Sequence, residues 1–399
     1  MYGAQLISAL RQLDPSLEFF GVGGDQMRAA GCEIVVDAKN LSVVGITEIL
    51  SHLPKIWKLF HHLIAESDKR KPDLAIVIDS PAFNWRVARQ MKKRGVPVCY
   101  YVCPQFWAWR QGRVRLLRKY VDKALVIFPF EEKFYRDRGV DAEFVGHPLA
   151  ELSRPAISRE EYAAHHGLDP LKLWIALMPG SRIKEVRMNL PGMLGSAQFL
   201  GPEYEFVLPV AATLDRNFVK QLVRCREGTA FSRAVIDQDK TGGTTEIRAL
   251  PNIARDRVHL VSETLPALAH SRAGIIASGT ATVEAAMMET PFVMVYRVSA
   301  LTYLLGRSTV KVPYFAMVNL IAGREVVPEL VQQDFTPERV AAEVAKIVPE
   351  GEARETMIEG LRTVRRHLRG EGKNAHGADQ AAGAIMELFR AAVRESSSG

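Results

Sequence analysis

Short apolar runs bounded by turn residues alternate along the chain with stretches whose apolar positions recur every three or four residues. In the first part, Leu74 to Ile78, Val98 to Val102, Ala124 to Phe128 and Glu143 to Val145 read as strands. The alternation resumes with Trp174 to Met178, Tyr204 to Pro209, Val258 to Val261, Gly274 to Ala277 and Phe292 to Tyr296. Strands this uniformly apolar, set between helices, predict parallel sheets covered on both faces. Two such sets, separated by the polar stretch from Ser153 to Lys172, predict two doubly wound α/β domains with a cleft between them. The expected divisions are residues 1–165, 166–340 and a charged helical tail, 341–399, that ends in a frayed Ser-rich tip.

The chain opens with Tyr2-Gly3-Ala4 running straight into Leu6, Ile7, Leu10 and Leu13, a helical spacing with no strand before it. Domains of this kind normally open with a strand that feeds the first helix, so the pattern predicts that a first strand and its glycine-rich turn are missing here, the alternative being a fold that starts with a helix.

Of the 399 residues, 47% are apolar and 24% charged, as in ordinary globular proteins. The net charge of +7 favours anionic partners: nucleic acid, an acidic membrane surface or a phosphorylated small molecule. Four cysteines without CxxC spacing exclude a disulfide framework and a zinc site as readings, and point to a reducing cytoplasm. The longest apolar run, Val98 to Cys103, is far too short to cross a bilayer, and no secretory signal is expected.

Candidate chemistry gathers at strand ends. Asp79 follows Leu74 to Ile78, where a carboxylate suits a general base or caps the next helix. Pro179-Gly180-Ser181-Arg182 leads into a helix carrying Glu185, and Ser278-Gly279-Thr280-Ala281-Thr282 into one bearing Glu284. Two small-residue turns with free N–H groups, one with a guanidinium, suit a nucleotide diphosphate, although neither matches a Walker or dinucleotide motif. Glu284 could take ribose hydroxyls or simply favour the helix dipole. Trp107, Trp109, Arg110 and Gln111 follow another strand, where aromatics could stack on a sugar or pack the loop down. His147, in Gly146-His147-Pro148, could face a cleft or serve as a structural hydrogen-bonder.

From Ile46 onwards, Ile49, Leu50, Leu53, Ile56, Trp57, Phe60, Leu63 and Ile64 follow helical spacing among Lys55, Lys58, His61 and His62. An apolar stripe beside basic residues suits an anionic membrane surface, and a core helix gives the same pattern. The run Arg362, Arg365, Arg366, Arg369 and Lys373 is either a solvated face or part of a basic lipid-facing patch.

Taken together, these pieces resemble the lipid-A-disaccharide synthase family of GT-B glycosyltransferases. The resemblance covers nearly the whole chain and rests on nine segments in order. They are GVGG at 21–24 with Met27 and Gly31, LSVVGITEIL at 41–50, IDSPAFN at 78–84, YVCPQFWAWRQ at 101–111, FPFE at 128–131 with Phe134 and Tyr135, FVGHPL at 144–149, MPGSRIKE at 178–185, SGTATVE at 278–284 and VNLIAGRE at 318–325. The turns near Arg182 and Glu284 would also occur in a peptidoglycan glucosaminyl transferase or a UDP-N-acetylglucosamine 2-epimerase. Neither of those carries YVCPQFWAWRQ followed by FVGHPL. A catalytically silent lipid-binding relative is the remaining alternative.

The resemblance implies transfer of 2,3-diacylglucosamine from UDP to 2,3-diacylglucosamine 1-phosphate (lipid X), with inversion, giving a β-1,6 disaccharide and UDP. It implies an N-terminal acceptor and lipid domain, a C-terminal UDP-sugar domain, a last helix returning to the first domain, and no metal or other cofactor. Asp79 would be the base or an acceptor-side carboxylate, and Arg182 the diphosphate stabiliser. Gly180, Ser181, Glu185, Ser278, Gly279, Thr280 and Glu284 would hold the UDP moiety, with Asn319, Arg324 and Glu325 lining or supporting the donor site. Trp107, Trp109, Arg110, Gln111 and His147 would shape the acceptor side. Ile49, Leu53, Ile56, Trp57 and Phe60 would face the cytoplasmic leaflet of the inner membrane as a peripheral contact; nucleic acid is not an expected partner, and a homodimer is compatible. The resemblance departs at the start, where the family's Gly-Glu-x-Ser-Gly-Asp turn would precede Gly3-Ala4, and at Cys103, where many relatives have Ser.

Overall fold

The computed structural model describes residues 2–40, 46–108, 111–224, 256–299, 312–369 and 377–397. Its chain divides into two compact units, Met1–Glu151 with Leu368–Gly399, and Leu152–His367.

In the first unit, β1 (Phe19–Gly23) and β2 (Cys32–Asp37) pair parallel as a two-stranded sheet. A second parallel sheet holds β3 (Ala75–Ile78), β4 (Val98–Tyr101), β5 (Lys123–Val126) and β6 (Ala142–Phe144) in sequential order. Every residue of β4 is buried, as is Ala124 to Val126 of β5, the burial expected of strands with helices on both faces. Phe60 and Ile64 from the helix Ile46–Arg70, and Ala88 and Met91 from the helix Pro81–Lys93, complete this core. The helix Tyr2–Leu13 buries Leu6, Ile7 and Leu10, an i, i+1, i+4 stripe, and packs on the last helix, Gly377–Ser397.

The second unit carries β7 (Leu173–Met178), β8 (Tyr204–Pro209), β9 (Val258–Val261), β10 (Ala273–Ala277), β11 (Phe292–Tyr296) and β12 (Glu329–Val331) in one parallel sheet. Its spatial order is β12-β11-β10-β7-β8-β9. Numbered from β7, that is the 3-2-1-4-5-6 order of a Rossmann-type sheet, in which the chain reverses direction across the sheet between its first and fourth strands. The reversal falls between β7 and β10, which pair from Ile175 with Ala273 to Met178 with Ile276. Trp174 to Leu177, Ile275 and Ile276 are wholly buried there, so the polar groups nearest the reversal stand on the turns that leave these two strands.

Among the described residues no helix is long and apolar enough to cross a membrane. The basic run ahead of residue 370 is engaged by carboxylates: Arg362 and Arg365 reach Glu289 at 2.9 and 3.5 Å, and Arg366 reaches Glu359 at 2.8 Å. That is the solvated, salt-bridged face rather than a free basic patch. Arg369 makes none of these pairs and Lys373 lies outside the described residues.

Leu6 is 2% exposed between the first and last helices of its unit. Leu6→Ala should therefore lower unfolding free energy by about 3 kcal/mol, measured by urea titration, and a loss below about 1 kcal/mol would mean that this contact is not part of the unit's core.

Candidate active site

The ends of β7 and β10 lie side by side at the sheet's reversal, about 4.8 Å apart as neighbouring strands must be. Pro179 to Arg182 leaves β7 and Ser278 to Thr280 leaves β10, so the two turns that the sequence separates by a hundred residues adjoin. Each contains a glycine in the left-handed half of the map, Gly180 at φ +118° and Gly279 at φ +144°. A Cβ on Gly180 would stand 2.6 Å from the Glu185 carboxylate, so that turn admits no side chain there.

The two turns differ in what they leave free. Glu185 Oε2 accepts from the N–H groups of Ser181 and Arg182 at 3.0 and 3.3 Å, while Oε1 takes the Arg182 guanidinium at 2.7 Å. The first turn is thus already filled by its own carboxylate, and its backbone donors are not the open cradle that the spacing suggested. Arg182 itself remains exposed. In the second turn Ser278 is fixed, its N–H to Val295 O and its hydroxyl to Phe315 O. Among the described residues no protein acceptor takes the N–H groups of Gly279, Thr280 or Ala281 at the start of the helix Ala281–Met288. Glu284, one turn in, is mostly buried without a hydrogen-bond partner among them, and burial raises its pKa. Helix-start N–H groups left in this way suit an anion, and the Glu284 carboxylate stands one turn further in.

Buried amides hold these turns in place. Asn189 donates to Pro179 O at 3.1 Å and accepts from Arg297 N at 2.9 Å, tying the β7 turn to the end of β11. Asn319 is wholly buried: its Oδ1 accepts from Val326 and Val327 N–H, and its Nδ2 donates to Val327 O and Glu329 Oε1. All four of its bonding positions are used within the protein, so its side chain shapes the loop around it. Glu329 in turn accepts from Phe315 and Ala316 N–H, each at 2.9 Å, the loop whose carbonyl holds Ser278. Arg324 and Glu325 are exposed beyond the helix Met317–Ala322. Asn189 and Glu329 escaped sequence reasoning; the one available signal was a polar residue within an apolar helical or strand pattern.

In the first unit, Asp79 ends β3 with its side chain exposed and its backbone left-handed, φ +49°, followed by Ser80 at φ +41°. Val102, just past the paired strand β4, is also left-handed at φ +57°. Non-glycine residues cost about 1–2 kcal/mol each in this region, and such strain is concentrated at functional edges. Nothing in residue type announced it.

Among the described residues of the loop after β4, Trp107 is packed inward. Trp107 is 6% exposed, donates its indole N–H to Glu131 Oε1 at 2.7 Å and meets Phe130 edge-on. Glu131 Oε2 also accepts from Ile127 and Phe128 N–H, and burial pushes the carboxyl up to about 7. Gln111 donates to Trp107 O at 3.1 Å, and Tyr135 OH donates to Pro104 O. Of the two readings of Trp107, these contacts are those of a residue that packs the loop down. Trp109 and Arg110 lie outside the described residues.

His147 has the contacts of a structural hydrogen-bonder: it is 2% exposed, its Nδ1 accepts from Leu149 N–H at 3.0 Å, its ring lies against Phe128, and its backbone N–H donates to Leu368 O. Of the helix stripe, Phe60 is buried against Phe83, Ile56 is half-buried and Trp57 is 53% exposed. Phe60 is thus a core residue, while the side chains of Ile49 and Leu53 lie outside the described residues.

Residues 1–382 match the family model described as Lipid-A-disaccharide synthetase. The lipid-A-disaccharide synthase of Koribacter versatilis is 49% identical over 97% of this chain and 95% of its own length. That of Myxococcus xanthus is 40% identical over 97% and 94%. The chain belongs to the lipid-A-disaccharide synthase family. Solved structures share the fold at low identity: the glycotransferase of kitacinnamycin, TM-score 0.57 at 16% identity, covers 97% of this chain and 96% of its own. The UDP-GlcNAc 2-epimerase from Neisseria meningitidis bound to UDP-GlcNAc gives 0.55 at 12%, over 97% and 96%. The fold is GT-B and the chain is a glycosyltransferase of lipid A synthesis. The epimerase likeness stops at the fold, and the family match sets aside the silent-relative alternative.

Burial lowers the His147 pKa to about 4 from the usual 6.5, so the folded protein keeps the ring neutral while the unfolded chain protonates it. Stability should fall as pH drops from about 6.5 to about 4, by up to about 3 kcal/mol from this residue. Thermal melts of His147→Gln should lose that part of the slope; an unchanged slope would place the acid sensitivity elsewhere.

Proposed function

We propose that the chain transfers 2,3-diacylglucosamine from UDP to the 6-hydroxyl of 2,3-diacylglucosamine 1-phosphate. The observation that supports the reading in detail is that the turn bearing Arg182 and the turn whose Gly279 to Ala281 N–H groups have no protein acceptor among the described residues leave neighbouring strands at the sheet reversal. A leaving UDP gains one negative charge on the diphosphate oxygen that was bonded to the sugar, and a guanidinium with helix-start N–H groups answers that charge without a metal. Glu185 holds Arg182 in place and competes for the first turn's N–H groups, so the diphosphate rests on the second turn with Ser278, Gly279 and Thr280 around it. Glu284 accepts from the ribose hydroxyls, a role suited to a partly buried carboxylate lacking a protein donor.

Asp79 is the base. The acceptor O6 attacks the anomeric carbon opposite the diphosphate, its proton passes to the Asp79 carboxylate, and the C1–O bond breaks with its electron pair leaving on UDP. One displacement inverts the α-linked donor to the β product. The left-handed backbone at Asp79 and Ser80 is the supporting feature, because strain of that kind is kept where it aims a functional group. Both substrates carry acyl chains, and the helix Ile46–Arg70 meets the cytoplasmic leaflet through Trp57 and partly exposed Ile56, flanked by Lys55 and Lys58.

UDP release from UDP-2,3-diacylglucosamine and lipid X in detergent tests the reading. Asp79→Ala should lower kcat by about a hundredfold or more, and Arg182→Ala should do so to a similar degree, with melting temperatures unchanged. Near-native turnover in either variant removes that residue from the mechanism.

A further inference from the structure

The elbow that presents Asp79 is an unfavourable piece of backbone. Two successive non-glycine residues, Asp79 and Ser80, sit at φ +49° and +41°, and the second precedes Pro81 at the start of the helix Pro81–Lys93. An isolated chain would leave this conformation, so something in the fold must hold it.

Two side-chain donors converge on one atom there. Tyr100 OH donates to Asp79 O at 2.7 Å and Asn84 Nδ2 donates to the same oxygen at 2.6 Å. Asn84 Nδ2 also reaches Ile78 O at 2.9 Å, and the backbone N–H of Asn84 closes on Ser80 O at 3.0 Å. The Asp79 N–H is taken by Tyr101 O across the β3–β4 pair. Both polar groups of the Asp79 peptide unit are therefore fixed, while its carboxylate is left exposed with no partner among the described residues. Tyr100 is wholly buried, tilted against Trp85, which stacks on Phe106 of the loop after β4. Burial and the nearby Asp79 and Cys103 groups push its phenol pKa well up, so it stays a donor at any working pH.

We propose that Tyr100 and Asn84 are positioning residues for the reaction: their two hydrogen bonds to the Asp79 carbonyl hold the left-handed elbow that aims the Asp79 carboxylate at the acceptor hydroxyl. A residue that only supports the core would need neither the shared acceptor nor the strained backbone it restrains. The inference rests on the reading of Asp79 as the base, which Asp79→Ala tests by itself. Failure of that variant to lose activity removes the base; the variants below address the clamp separately.

Tyr100→Phe deletes one donor without changing the ring's volume, and Asn84→Ala deletes the other. Each should lower kcat by about tenfold or more with the KM of both substrates within about twofold, because a displaced base slows the chemical step and leaves binding intact. Assays run well below each variant's melting temperature separate this from unfolding. Ser80→Gly, placed in the Tyr100→Phe background, makes the left-handed conformation easy at position 80 and should recover part of the lost kcat. Wild-type kcat in both single variants overturns the proposal. So does a loss of kcat that Ser80→Gly leaves untouched, since the donors would then act by a route other than the elbow.

Discussion

A strand buried on both faces has its backbone groups committed to its neighbours, so its carboxyl end is the first place where N–H groups and side chains become available. Both units of this chain are built under that constraint. In the second unit the sheet order adds a further one, since the reversal between β7 and β10 sends the helices after them to opposite sides and leaves their turns uncovered. Arg182 and the N–H groups from Gly279 to Ala281, which have no protein acceptor among the described residues, stand on those two turns, with Glu284 in the helix that follows the second. In the first unit the same logic places Asp79 and Val102 at the ends of two paired strands, in backbone conformations that only a surrounding fold can maintain.

What maintains them is a set of polar side chains, buried or half-buried, most of whose bonds go to backbone. Asn189, Asn319 and Glu329 fasten the loops around the donor turns, while Asn84 and Tyr100 fasten the Asp79 elbow. Glu131 fastens the loop after β4 through Trp107 and the N–H groups of Ile127 and Phe128. A buried polar group is expensive unless paired, so each of these residues fixes one local arrangement and penalises alternatives. The exposed side chains of Asp79 and Arg182 thus stand on backbone that such residues hold in place.

The helix from Ile46 to Arg70 shows how one stripe can serve two masters. Phe60 and Ile64 join the core of the first unit, while Trp57, one turn earlier, stays half exposed and stacks on Phe60 from outside. Periodicity of 3.6 residues cannot separate a face that meets protein from a face that meets lipid, because both want apolar side chains. Packing partners make that separation, and they come from Pro81–Lys93 and the strands beneath.

Apolar runs of strand length, helical periodicity and small-residue turns were enough by themselves to determine the parallel α/β class, the elements that carry Asp79, Arg182 and Glu284, and, through nine ordered segments, the family. Those features are local, and local propensity writes them directly into residue order. Which turns adjoin, and which of their donors are free, depended on strand order and on a carboxylate, Glu185, folding back onto its own turn. The burial of Trp107, His147, Phe60 and Asn319 was likewise decided only in three dimensions, because a side chain's exposure is set by what packs against it from distant parts of the chain. The strain at Asp79 belongs to the same class: no residue type demands it, and only the converging donors of Tyr100 and Asn84 make it tenable.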